Sequence, residues 1–400
     1  MEGVKGAYLI IGNGVAGMTA AEEIRKCDKD AQVTIIGDER VLTYYRVKLS
    51  HFISKHFQIK ELLIHDENWY RERNIELILG ERVQSIHPNA QKVFLESGKE
   101  VGYHKLLLAN GSSSFIPSVE GAKKDGVFAL RNLRDLEEIQ AYLLDCKEVA
   151  VIGGGLLGLE AAWALKERGL RVNVVEFFPY LLPRQLDPEL ARYVKEQLEQ
   201  KGLKIYLTAE TQEIIGTEKV EGIALKDGRV IPTDMVLFST GVKPNISIAE
   251  STDIDKNRGI KVNAFMETSV ANIYAAGDVA EFGGMAMGLW SVASDQGKVA
   301  GRSMVGVKDA YTLPQPATLL SIGGFNVFSV GEVNGEKQGL TFREGTVFHK
   351  LFIEEGKLIG GVLTGDIKKM AVLKKAVTQK TAVQGLLEVG LTIPEILEKL

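Results

Sequence analysis

Apolar and polar positions follow one plan twice in the first 240 residues of this chain. Ala7–Ile11 is a short apolar run that ends at Gly12, and the alanine-rich stretch after Gly17 reads as a helix. Gln32–Gly37 is the next strand. Further on, Val149–Ile152 runs into Gly153. A helix over Leu159–Arg168 is closed by Gly169, a residue suited to the position just past a helix end, and Arg171–Glu176 is the following strand.

Between the two copies, residues 40–73 are polar and aromatic and read as loop and short helix. Ile75–Gly80 and Glu81–Ile86 alternate as strands, and Gln91–Leu95 and Glu100–Tyr103 pair through Ser97-Gly-Lys as a hairpin. Lys105–Gly111 is a buried strand, Phe115–Pro117 a crossing between domains, and Arg134–Leu144 a helix with a charged face. After the second copy come a helix over Asp187–Lys201, with Asp187 as cap and Pro188 in its first turn, and strands at Lys204–Leu207, Val220–Leu225, Val230–Pro232 and Met235–Ser239. Gly259–Asn263 and Ile273–Asp278 are strand-like, and Gln296–Val305 is a helix of small residues. From Pro316 the pattern changes: Thr318–Ile322, Val327–Val330, Thr346–Ile353 and Leu358–Thr364 alternate like an antiparallel sheet, with helices after them. The fold class is therefore α/β, with two Rossmann-like domains and a C-terminal α+β domain.

Composition narrows the class. Four hundred residues imply two or three domains, and 45% hydrophobic with 25% charged residues describes a globular chain. A formal net charge of −4 gives no case for nucleic acid, and no apolar run is long enough to span a bilayer. Ala7–Ile11 is too short for a secretion signal, so the expected location is cytoplasmic. The two cysteines, Cys27 and Cys146, lie far apart and form no CxxC.

The chemistry sits at the two glycine turns. Gly12-Asn-Gly14-Val15-Ala16-Gly17 and Gly153-Gly-Gly155-Leu156-Leu157-Gly158 each follow a strand and open a helix. In this pattern the first glycine allows the tight turn, the second lets backbone approach a pyrophosphate, and the third lets helix pack on strand. The free N–H groups of the helix end attract the phosphates. An acid about 20 residues on binds a ribose; Asp38 and Glu39 fill that place in the first copy and Glu176 in the second. One such turn is weak evidence, whereas two with matching strand, helix and acid are strong.

These markers resemble the two-domain flavoproteins of the pyridine nucleotide–disulfide oxidoreductase superfamily, together with Ala109-Asn-Gly111, Thr240–Asn245 and Ile273–Val279. The resemblance covers essentially the whole chain. It implies FAD at the first fingerprint and NADH at the second, with the NAD domain inserted in the FAD domain: residues 1–114 and 246–315 for FAD, 115–245 for NAD(P)H, 316–400 for the C-terminal interface domain. Tyr45–Ser50 and Leu182–Asp187 are similar to NADH:rubredoxin reductases and to the flavin region of NADH-dependent nitrite reductases. By that similarity Asp38, Glu39, Arg46, Val83, Ala109, Gly111, Arg131, Gly277, Asp278 and Trp290 line the FAD site, while Glu176 and Gly241 join the NAD turn. Glu160 points toward the nicotinamide, and Lys48, with His51 behind it, is the expected cation beside the flavin. Asn110 departs from the family, which more often has threonine there.

The superfamily's redox cysteines sit between Arg40 and His56, where this chain has none. The implied activity is NADH oxidation through FAD alone, with electrons passed to a small carrier protein, rubredoxin first. Ferredoxin or O₂ as acceptor, and a flavin-binding electron-entry subunit or redox sensor, are the alternatives. Glu176 favours NADH over NADPH, because a carboxylate repels a 2′-phosphate. The lysines of Asp366–Lys380, Lys368 and Lys369 among them, are expected to steer an acidic carrier. The absence of the cysteine clusters of a fused nitrite reductase favours a stand-alone protein, monomer or homodimer.

Overall fold

The computed structural model describes residues 6–333 and 338–400, which divide into two compact units. One comprises Met1–Lys48, Phe57–Ser114 and Gly241–Leu313; the other Leu49–His56, Phe115–Thr240 and Pro314–Leu400.

In the first unit five parallel strands lie in the order Ile273–Ala275, Lys105–Leu108, Ala7–Ile11, Gln32–Gly37, Ile75–Leu79. The central strand is apolar throughout because both its faces are covered. Tyr8 and Ile10 join the core shared with the helices, while Leu9 and Ile11 join one containing Ile86, Val93 and Leu95 of a three-stranded antiparallel sheet. Helices Val15–Cys27 and Trp290–Met304 cross on the first face. They approach backbone to backbone: a Cβ on Gly297 would stand 2.3 Å from the Ala16 carbonyl oxygen, and one on Gly301 2.4 Å from that of Ala20.

The second unit repeats the layout. Its parallel sheet runs Lys204–Tyr206, Arg171–Val175, Glu148–Ile152, Met235–Phe238, Val127–Ala129, and Thr211–Ile215, Gly222–Leu225 and Val230–Pro232 form its three-stranded antiparallel partner. The C-terminal residues belong to this unit. Their antiparallel strands follow the order Ala317–Ile322, Phe325–Gly331, Lys357–Thr364, Val347–Glu354, Gln338–Glu344, with helices Met370–Thr378, Gln384–Glu388 and Ile393–Lys399. This sheet is tied to helix Pro188–Gln200: Lys350 Nζ pairs with Asp187 and, at 3.0 Å, with Glu189, and the Tyr193 hydroxyl donates to the Thr346 carbonyl at 2.9 Å.

The units differ from the sequence segmentation in that the C-terminal residues, from Pro314, fall within the second unit instead of standing apart, and at two further places. Leu49–His56 clusters with the second unit, where Gln140 Nε2 donates to the Phe52 and Lys55 carbonyls and Arg168 Nη1 to that of Ile53. The return to the first unit begins at Gly241 because Val242–Pro244 pairs with Ser112–Ser114. Reciprocal bonds fasten that pair: Asn110 Nδ2 donates to the Asn245 carbonyl at 2.8 Å, and Asn245 Nδ2 to the Asn110 carbonyl at 2.9 Å. Asn110 thus has a structural task. Two helices also begin earlier than their sequence pattern, at Leu156 and Trp290, because Gly155 and Leu289 stand at the N-caps.

Candidate functional site

The first turn is built by exclusion. Gly12 holds φ +115°, and a Cβ there would lie 2.1 Å from the Ala109 carbonyl oxygen. A Cβ on Gly17 would lie 2.1 Å from the Gly12 oxygen. At Gly14 a Cβ would meet nothing within 4 Å, and Gly14 caps the helix without any side-chain bond to the free N–H groups of Val15 and Ala16. The turn is closed against its own strand and open where a phosphate would approach. Ala109 continues the neighbouring strand, and Gly111 follows with φ +67°.

The other residues expected around FAD are placed as follows. Asp38 is exposed, whereas Glu39 accepts from the Tyr44 hydroxyl at 2.7 Å and pairs with Arg46, whose guanidinium lies over the Tyr44 ring. Burial opposes the charge on Arg46, but Tyr44, Glu39 and Asp38 together hold its pKa above the ordinary value. Gly277 has φ +80° and donates its N–H to Gln296 Oε1 at 2.9 Å. Half-buried Asp278 accepts from the Ser112 hydroxyl at 2.8 Å. Val83 is half-buried at an irregularity in its strand. Trp290 opens its helix, stacks on Tyr45 with ring centroids 5.9 Å apart, and keeps a buried Nε1 with no partner among the described residues. Lys48 Nζ sits 4.3 Å from the Tyr45 ring centroid. Arg131 belongs to the second unit, where its backbone N–H donates to Asp135.

Sequence reasoning missed the supports. Asn13, between the fingerprint glycines, accepts from the Thr43 hydroxyl at 2.7 Å and donates to the Val41 carbonyl at 3.2 Å; Thr43 in turn accepts from Tyr70. This chain anchors the aromatic segment beside the turn. Asn13 was readable only as an unspecified position of the motif.

The second turn has the same shape. Gly153 holds φ +119° with its Cβ direction 2.3 Å from the Ser239 carbonyl oxygen; Gly158 would meet the Gly153 oxygen at 2.1 Å; Gly155 meets nothing. Leu156 and Leu157 form the first helical turn, and Leu157 is exposed. Gly241 has φ +99° and open space around it. Glu176 is buried, and both its oxygens are engaged: Oε2 accepts from the Gly154 N–H at 2.5 Å and Oε1 from the Phe178 N–H at 2.8 Å. Glu160 Oε2 accepts from the Ser50 hydroxyl at 3.0 Å. Burial pushes the Glu160 carboxyl up from its usual range, and Ser50 and His51 pull it partly back. His51 lies in the same unit as Glu160, and Lys48 in the other.

Both cysteines are free, and burial pushes the Cys146 thiol up to about 11, so it stays protonated at neutral pH. Among the described residues no cluster could hold a metal ion, and no helix is long and apolar enough to cross a membrane.

The chain matches the profile of the pyridine nucleotide-disulphide oxidoreductases over residues 6–297 and that of the rubredoxin NAD+ reductase C-terminal domain over residues 316–381. It is 35% identical to the NADH-rubredoxin oxidoreductase of Clostridium acetobutylicum, covering 92% of this chain and 93% of that protein. It is 36% identical to a nitrite reductase [NAD(P)H] of Bacillus subtilis over 90% of this chain but 46% of that protein, and 34% identical to an assimilatory nitrate reductase electron transfer subunit of the same organism over 94% and 50%. The chain thus spans about half the length of these two relatives. Among solved structures, a ferredoxin reductase from Rhodopseudomonas palustris superposes with TM-score 0.91 at 28% identity, covering 99% of both chains. The Clostridium acetobutylicum NADH:rubredoxin oxidoreductase superposes with TM-score 0.82 at 32% identity over 98% and 99%.

Proposed function

The chain belongs to the pyridine nucleotide-disulphide oxidoreductase family, and we propose that it is an NADH-dependent flavoprotein oxidoreductase that passes electrons to a small one-electron carrier, rubredoxin first. The observation that carries this reading is the doubled glycine turn, closed against its own strand at Gly12 and Gly153 and open at Gly14 and Gly155, in a chain with no cysteine between Arg40 and His56.

Bound FAD supplies the redox chemistry, taking electrons as hydride and releasing them singly. In this reading Gly12, Gly14, Val15, Ala16 and Gly17 hold its pyrophosphate by backbone N–H groups and the positive helix end. Glu39 and Asp38 receive ribose hydroxyls, and Arg46, kept charged by Glu39, offers charge-assisted bonds to phosphate. Ala109, Gly111 and Gly277 bring backbone close, Asp278 accepts from a hydroxyl of the cofactor, and Val83 and Trp290 complete the lining. Gly153, Gly155, Leu156, Leu157, Gly158 and Gly241 hold NADH. Glu160 faces its ring, with Lys48 or His51 as the cation that stabilises negative charge. Glu176, at the strand end where the adenosine ribose would lie, disfavours a 2′-phosphate; an NADPH/NADH ratio of kcat/KM above one would remove that assignment.

A panel of acceptors under anaerobic NADH is the test. Rapid flavin bleaching followed by fast reoxidation with rubredoxin supports the reading, and preference for ferredoxin or O₂ moves the acceptor to either of those. Bleaching followed by slow reoxidation with every carrier supports a second reading, an electron-entry subunit, which the half-length match to the nitrite and nitrate reductase proteins favours. Absence of bleaching overturns both.

A further inference from the structure

We propose that Ser50 is a positioning residue for Glu160, its buried hydroxyl holding one carboxylate oxygen, and that Leu49–His56 is the segment of the second unit that delivers it. This rests on the reading in which Glu160 faces the nicotinamide, and adds the residue on which that carboxylate depends.

The pair is a tertiary one. Ser50 Oγ donates to Glu160 Oε2 at 3.0 Å across 110 residues of chain. Ser50 is 0% exposed, and a hydroxyl taken out of water needs a partner, which Glu160 supplies. His51, the next residue, is exposed, so the segment turns the serine inward and leaves the histidine at the surface.

The segment is fastened from outside itself. Gln140, on helix Leu133–Tyr142, donates its side-chain amide to the Phe52 carbonyl at 2.5 Å and to the Lys55 carbonyl at 2.8 Å. Arg168, the C-cap of the helix that carries Glu160, donates from Nη1 to the Ile53 carbonyl at 3.1 Å. Leu49 and Ile53 are buried on either side of the serine, and the Ile53 N–H donates back to the Ser50 carbonyl at 3.3 Å. The place of the hydroxyl is thus set by the same helices that frame the carboxylate.

What the bond does follows from the charge. Burial favours the neutral acid at Glu160; Ser50 opposes this, and His51 acts in the same sense as Ser50 but more weakly. A nicotinamide ring that gives up hydride gains positive charge, which a carboxylate stabilises and a neutral acid does not. Ser50 acts on both the direction and the ionisation of Glu160.

Ionisation separates this role from mere packing. In the FAD-loaded full chain, stopped-flow reduction of the flavin by NADH should rise with pH as Glu160 ionises. Ser50→Ala should move that limb up by about one pH unit while KM for NADH stays within about two-fold of wild type. Ser50→Thr, which keeps the hydroxyl, should restore the limb, and His51→Gln should leave the Ser50→Ala shift in place. Gln140→Leu, which frees the segment without touching the pair, should shift the limb in the same direction. A second readout needs no turnover. In denaturant unfolding, the stability gap between wild type and Ser50→Ala should widen as pH rises above about 4.5, because the more strongly raised carboxyl loses more stability on ionising, and should stay flat in a Glu160→Gln background. An unmoved limb and a flat gap in Ser50→Ala overturn the proposal, and an unmoved limb in Gln140→Leu overturns the part given to the segment. A limb that persists in Glu160→Gln overturns instead the reading of Glu160 at the nicotinamide, and the unfolding comparison then still reports the bond.

Discussion

One methyl group separates the glycines of each turn into two kinds. At Gly12 a Cβ would press on a carbonyl oxygen 2.1 Å away from a backbone already at φ +115°, so Gly12→Ala disrupts the turn before any ligand is involved. Gly14 has φ −91°, which alanine adopts freely, and a Cβ there touches nothing in the protein. Gly14→Ala should therefore leave apoprotein stability within about 0.5 kcal/mol of wild type yet, on the proposed placement of the pyrophosphate, weaken FAD binding more than ten-fold. Thermal unfolding of the apoprotein beside an FAD titration reads both, and unimpaired FAD binding would show that the phosphate lies elsewhere. Glu160 gives a second prediction. Its folded pKa is raised by burial, so the native state holds the proton more tightly than the unfolded chain does. Stability contributed by such a group is present below the unfolded value of 4.5 and is lost as pH rises through the raised one. Glu160→Gln escapes the loss, so its melting temperature should gain on wild type as the pH rises above about 4.5. A constant difference across that range would mean that the carboxylate is hydrated.

The elements legible in the sequence are those whose own residues decide them. The fingerprint strands show as apolar runs because both faces are covered, and Asp187 shows as a cap because its carboxylate accepts from the Leu190 N–H at 2.9 Å. Elements decided by neighbours stay hidden. Ser112–Ser114 and Val242–Pro244 carry three serines and a proline, and they pair because Asn110 and Asn245 clasp the ends. Thr211–Ile215, half polar, is a strand because Gly222–Leu225 accepts it. Lys350 is another hidden case: in sequence it is one lysine on an alternating strand, but its side chain is only 12% exposed and reaches Asp187, at 2%, and Glu189. Lys350→Met should strand the Asp187 charge and cost roughly 3–5 kcal/mol in denaturant unfolding of the second unit. Adding Asp187→Asn should recover much of this, since asparagine still caps the helix without the charge. A single-variant loss below about 1 kcal/mol would place the pair among hydrated surface bridges.

At the scale of the molecule, the duplication of sheet, turn and acid was readable because each copy repeats a local pattern; the choice of acceptor was not, because docking depends on which charges remain unspent on the folded surface. Five lysines in Asp366–Lys380 suggested a strongly basic face. The fold reduces it: Lys368 lies 3.7 Å from Asp366 and Lys369 pairs with Glu398 at 2.7 Å. Lys374 and Lys375, on the exposed side of helix Met370–Thr378, carry no ion pair among the described residues, and neither does Lys380 just beyond it. Steering of an acidic carrier should therefore rest on Lys374 and Lys375 more than on the two lysines singled out from sequence. With a protein acceptor, Lys374→Glu combined with Lys375→Glu should slow reoxidation of the NADH-reduced enzyme about ten-fold at low salt and flatten its dependence on ionic strength. The same change at Lys368 and Lys369 should have a smaller effect, because their fields are already partly cancelled. Reduction by NADH, measured in the same preparations without acceptor, should be unaffected by either pair. If carrier turnover keeps its salt dependence in the Lys374/Lys375 variant, the carrier docks on another face and this helix is only a solvated one.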